Sequence, residues 1–171
     1  VDSSDTALAS GSTTNDASIT LTFEPNEDTG ATFAAEDVIV SGGTLGGWAA
    51  VSETYNYTAT LTPNGSATYT IDINAGKFTD EAGNSNIAAP QFTWIYDGTD
   101  PTIAITAVDS DDAALGSNQT TNDATITLKF APNEVATGFA IEDVIVVATG
   151  LDNNDGSFGD LSIADENNTY T

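Results

Sequence analysis

Apolar and polar residues alternate one by one through most of this chain. Ile19, Leu21 and Phe23 fall on one side of an extended segment and Ser18, Thr20 and Thr22 on the other, which is the period of a β-strand with one buried face. Ile126, Leu128 and Phe130 repeat the pattern, and Tyr55-Tyr57-Ala59-Leu61, Tyr69-Ile71-Ile73, Phe92-Trp94-Tyr96 and Ile103-Ile105 follow it. Thr is the usual outward residue, as β-branched side chains suit a pleated surface. No segment sustains a helical period.

Pro63-Asn64-Gly65 lies between two of these strands. Asn-Gly supplies the positive φ angles of a tight turn, so the pattern predicts a hairpin that makes the two strands antiparallel neighbours. About seven short strands with turns between them predict an all-β fold of immunoglobulin-like antiparallel sandwiches in tandem. Trp94 is the expected core aromatic, Tyr55 and Tyr57 are expected to be core, and Trp48, in a Gly-rich stretch, is expected to be half-buried.

The chain also copies itself at a spacing of about a hundred residues, the size of one such sandwich. Val1-Asp2-Ser3 returns at Val108-Asp109-Ser110, Thr13-Thr14-Asn15-Asp16-Ala17 at Thr120-Thr121-Asn122-Asp123-Ala124, and Pro25-Asn26-Glu27 at Pro132-Asn133-Glu134. Glu36-Asp37-Val38-Ile39-Val40 returns from Glu142 to Val146 after a one-residue deletion, and a longer stretch, Leu151 to Ile163, replaces Gly46 to Val51. The expected domains are 1–98, a repeat lacking its first strand, and 99–171, a second repeat incomplete at its C-terminal side. Thr102 to Thr106 would open the second repeat, and the short linker Asp97–Pro101 would favour a stiff, extended rod. The chain therefore reads as an excerpt of a longer array.

Composition narrows the chemistry. The 171 residues carry a formal net charge of -24 with two basic residues, Lys77 and Lys129, yet 39% are hydrophobic and the acids are scattered through the alternation. That describes an acidic folded protein, not a disordered tail. Its surface repels nucleic acid and anionic lipid, leaving divalent cations, basic proteins and salty water as company. No run approaches a membrane span, and any targeting segment lies outside this chain. Cys, Met and His are absent, which removes disulfides, thiol nucleophiles, imidazole bases and zinc sites.

Asp100-Pro101-Thr102-Ile103 at the joint, Thr-Asn-Asp-Ala ahead of a Thr-rich strand, Glu-Asp-Val-Ile-Val, and Gly76-Lys77-Phe78-Thr79-Asp80-Glu81-Ala82-Gly83-Asn84 together resemble the bacterial immunoglobulin-like (Big-type) tandem repeats of large cell-surface adhesins. The resemblance implies a sandwich used as an extender or adhesive module in a secreted protein, often calcium-stiffened at its junctions. It implies no general enzymatic activity and no shared ligand.

Calcium is the sharpest candidate chemistry, because a hard cation takes several oxygens and this chain offers carboxylates and Asn amides near its turns. Asp152-Asn153-Asn154-Asp155-Gly156 does not fit an EF-hand: the first-position Asp and the twelfth-position Glu are missing. Sandwich topology instead places the loops 24–36 and 75–89 at the pole where the preceding linker enters. The candidate set in the second copy is Asp97, Asp100, Asn133 and Glu134, and in the first Glu27, Asp80, Glu81 and Asn84. The alternative is that these acids only cap turns.

Other chemistry is less marked. Paired carboxylates could serve a glycosidase, but no pair is singled out. Lys77 could form an isopeptide bond, although a solvated loop lysine is the simpler reading. Trp48, Tyr55 and Tyr57 form a candidate carbohydrate platform. A repeat missing a strand exposes a sheet edge that another copy could fill, linking copies into a filament. The expected function is a structural or adhesive spacer of a secreted or cell-surface protein, whose partners are neighbouring repeats and, in a filament, other copies. A carbohydrate- or protein-binding adhesin module is the alternative.

Overall fold

The computed structural model describes residues 1–145, which fall into two compact units divided between Thr99 and Asp100. The first unit holds seven strands: β1 (Ser12–Thr14), β2 (Ile19–Phe23), β3 (Val38–Val40), β4 (Thr44–Ala50), β5 (Tyr57–Thr62), β6 (Ala67–Ile73) and β7 (Phe92–Tyr96). They form two sheets, in the orders β1-β7-β6-β3 and β2-β5-β4. All pairings are antiparallel except β1 with β7, the first and last strands, which run parallel.

Alternation sets the core. Ile19, Leu21 and Leu61 of one sheet meet Val38, Tyr69, Ile71 and Trp94 of the other, with Phe33 from a loop, in one buried cluster. Trp94 and Leu61 are wholly buried, and the Trp94 Nε1 donates to Thr14 Oγ1 at 3.1 Å, so a large buried aromatic leaves no donor unpaired.

Three expectations are corrected. The Pro63-Asn64-Gly65 turn does not join paired strands: β5 pairs with β2 and β4, whereas β6 pairs with β3 and β7. The turn is a corner that carries the chain from one sheet to the other. Tyr55 is not core; a turn in which Val51 N–H donates to Asn56 C=O at 2.9 Å precedes β5 and leaves Tyr55 52% exposed. Ile126 falls just before its strand and is likewise exposed.

The second unit contains β8 (Ile103–Val108), β9 (Ala114–Leu115) and β10 (Thr127–Pro132), in the antiparallel order β10-β8-β9. Among its described residues Phe130 is the buried one, with the Phe139 ring 5.5 Å away. The segment Leu151 to Ile163, with Asp152 to Gly156, lies outside the described residues.

Candidate functional site

The first-unit loops at one pole are stitched together by a single hydroxyl. Thr32 Oγ1 accepts from Thr79 N–H at 3.0 Å and shares its one proton between the Thr29 and Thr79 carbonyls, at 2.7 and 2.9 Å. This brings Glu27, Asp28, Asp80 and Glu81 around a cleft of about 380 Å³. Three of the four first-copy residues singled out by topology therefore share a cleft, and the fourth, Asn84, is bound to one of them.

That bond decides what Asp80 is occupied with. Asn84 N–H donates to Asp80 Oδ1 and Asn84 Nδ2 to Asp80 Oδ2, each at 2.7 Å, and the Asn84 contacts hold the Asp80 carboxyl below its ordinary range. Both oxygens serve a turn. Among the described residues no group of three or more acidic side chains is gathered closely enough to cage a metal ion. The oxygens suit calcium by type, but they are spread around the cleft and do not converge on one point.

In the second unit Asn133 continues the ladder, accepting from Thr102 N–H at 2.6 Å through Oδ1 and donating its own N–H to Thr102 C=O at 3.0 Å. Glu134 is partly covered and Asp100 is exposed. Asp97 belongs to the first unit, where its carboxylate accepts from Thr99 N–H at 3.1 Å.

Another set of carboxylates builds the same corner in each unit, and the role was not read from the sequence. Asp2 accepts from Ser4 N–H at 2.9 Å and Thr6 N–H at 2.8 Å; Asp109 accepts from Asp111 and Ala113 at 2.9 and 2.8 Å. Ser3 donates to Asp16, as Ser110 does to Asp123. The Ser3 and Ser110 hydroxyls, followed by those of Thr14 and Thr121, lower the carboxyls of Asp16 and Asp123 below their ordinary range. The recurrence of Val-Asp-Ser with Thr-Asn-Asp was the signal for this corner.

A second feature lies along β2. An apolar cavity of about 600 Å³ beside it is lined by Leu21, Phe23, Ile73, Ile87, Pro90 and Phe92 among others.

Residues 1–94 match the model of a family described as a bacterial Ig-like domain. The chain belongs to the bacterial Ig-like domain family. No curated protein and no solved structure matches it. Bacterial Ig-like domains occur as repeats in surface proteins and are generally structural, non-catalytic modules. None of the helices among the described residues is long and apolar enough to cross a membrane.

The remaining candidates take ordinary places in this bacterial Ig-like domain. Trp48 is half-buried as expected, stacked on Tyr57 at 5.3 Å and edge-on to Phe33 at 5.1 Å. Tyr57 reaches inward, its hydroxyl 2.8 Å from that of the buried Thr29. Trp48 and Tyr57 are thus engaged in an aromatic cluster with Phe23 and Phe78, and Tyr55 stands apart from it. Lys77 is exposed in its loop.

Proposed function

We propose that this chain is a tension-bearing spacer of a large secreted surface protein, its partners being the neighbouring repeats of the same array. The observation that carries the reading is the parallel pairing of β1 with β7, Ser12 opposite Trp94 and Thr14 opposite Tyr96. Because β1 runs parallel to β7, the start of β1 and the end of β7 lie at opposite poles of the unit. Such a unit adds length, and a pull on its ends loads the β1–β7 hydrogen bonds together instead of one by one.

The placement of the other residues agrees with this use. A binding module should spend specialised residues on an exposed patch, whereas here Trp48 and Tyr57 are spent on packing and Asp2, Asp16, Asp80, Asp109 and Asp123 on turns. Catalysis has no part in the proposal. Calcium enters as a cation that bridges exposed carboxylates at the acidic poles, Glu27, Asp28 and Glu81 among them, and stiffens the array, with weak affinity because no cage is formed. End-to-end assembly of copies is a further elaboration.

Thermal unfolding and solution scattering in EDTA, in millimolar calcium and in sodium chloride of matched ionic strength test this reading. An elongated particle with a calcium-specific rise in melting temperature is expected. An equal effect of sodium would reduce the acids to a solvating shell. A compact particle would remove the spacer.

A further inference from the structure

Asn64 is followed by Gly65, and no other asparagine of the chain is followed by glycine. The backbone nitrogen of the next residue can attack an asparagine side chain at Cγ, and a next residue without a Cβ leaves that approach open. In the corner between β5 and β6 both partners of this reaction stand ready. Gly65 is exposed, with open space where a Cβ would stand, and among the described residues nothing accepts its N–H. The Tyr69 hydroxyl lies 2.9 Å from Asn64 Oδ1 and 2.7 Å from the Gly65 carbonyl oxygen, and its one proton is shared between them. Attack at Cγ puts negative charge on Oδ1, so this hydroxyl, carried by a buried ring, is a donor held in advance where the charge develops.

Comparable sites in the same unit are tied down. Asn86 Oδ1 accepts from Lys77 N–H at 2.7 Å and Phe78 N–H at 3.1 Å, and its Nδ2 donates to the Asn74 and Ile87 carbonyls at 2.9 and 2.8 Å, which holds the amide away from reaction. Asp97-Gly98 is the acidic counterpart of Asn64-Gly65, but there Gly98 N–H donates to Ser66 Oγ at 2.9 Å and the Asp97 carboxylate accepts from Thr99 N–H at 3.1 Å.

We propose that Asn64-Gly65 is a self-modification site assisted by the Tyr69 hydroxyl, with water as its co-reactant. The Gly65 nitrogen gives up its proton and bonds to Asn64 Cγ; the Cγ–Nδ2 bond breaks, and ammonia leaves with that proton. The product is a cyclic imide. Water then opens it at Cγ, giving an ordinary aspartate, or at the Asn64 main-chain carbonyl, giving an isoaspartate, and the Gly65 nitrogen regains a proton either way. Each product adds a carboxylate to the corner. The isoaspartate also lengthens the main chain by one atom directly before Ser66, whose Oγ holds Gly98 N–H and meets Thr99 Oγ1 at 3.2 Å. The reaction therefore loosens the hold of the corner on the last residues of the unit. It rests on the corner alone and stands whether or not the chain is a spacer.

The test incubates the full chain at mildly alkaline pH and follows each asparagine by peptide mass mapping, with an isoaspartate-specific methyltransferase assay. Asn64 should convert about tenfold or more faster than Asn84 and Asn86. Tyr69→Phe should slow Asn64 in the folded chain by about threefold or more, because one donor at the developing charge is lost, and leave its rate in denaturant unchanged. Should Tyr69→Phe fail to fold, the wild type decides: Asn64 should convert at least as fast folded as in denaturant. Conversion of Asn64 no faster than that of Asn84 overturns the site. A folded Tyr69→Phe chain converting as fast as the wild type, or a wild type slower folded than in denaturant, overturns the part given to the hydroxyl.

Discussion

The Tyr69 hydroxyl faces the Gly65 carbonyl at 2.7 Å, four residues back along the chain. It also accepts from Asn64 N–H at 2.9 Å and meets Asn64 Oδ1 at the same distance. One phenol at the start of β6 thereby holds the corner where the chain leaves the β2-β5-β4 sheet for the other. The ring itself is buried against Trp94, 5.6 Å away.

Replacing Tyr69 by Phe keeps the ring and deletes the knot, leaving partly buried polar groups unpaired. The cost should be about 1–3 kcal/mol, or several degrees of melting temperature for a unit of this size. Differential scanning calorimetry of the wild type and Tyr69→Phe measures it; an unchanged transition would mean that water replaces the hydroxyl without loss.

The opposite crossing, from β3 to β4, depends on Gly43. Its φ is +69°, and a Cβ there would sit 2.5 Å from the Thr62 carbonyl oxygen, a backbone atom that cannot swing away. Gly46, within β4, has open space at the same test. Gly43→Ala should cost more than about 1 kcal/mol and Gly46→Ala less than about 0.5 kcal/mol. Denaturant midpoints of the two variants rank them, and equal midpoints would contradict the close approach.

The strand pattern was legible because each sheet has one buried face, and Ile19, Leu21, Tyr69, Ile71 and Trp94 take the predicted positions. Sheet membership was not. Asn64-Gly65 encodes a reversal of direction, and a reversal within a sheet has the same turn chemistry as one between sheets; here the Tyr69 hydroxyl, a few residues further on, holds the corner. Tyr55 and Tyr57 share an alternation, but Glu53, with φ +63°, turns the chain between Val51 and Asn56, so Tyr55 falls before the strand. At the pole, Glu27, Asp80 and Glu81 line one cleft. Composition could not reveal that Asn84 holds both Asp80 oxygens.

Acid should undo the corner carboxylates in a defined window. Asp16 and Asp123 have lowered folded-state pKa values, so their contribution is fully present above the ordinary carboxyl value of 3.8 and is lost as pH falls through the folded value beneath it. The melting-temperature difference between wild type and Asp16→Asn should be constant from neutral pH down to about 5 and shrink toward zero below about 3.8. A difference that grew on acidification would contradict the assignment.

The account's central claim is that the unit bears load through β1 and β7, and single-molecule stretching of the full chain by its termini tests it most directly. Val1–Thr99 should give way in one discrete step that releases on the order of 300 Å, from about 3.5 Å per residue less the folded span. Gradual extension without such a step, at forces no higher than a peeling hairpin sustains, would contradict a tension-bearing spacer.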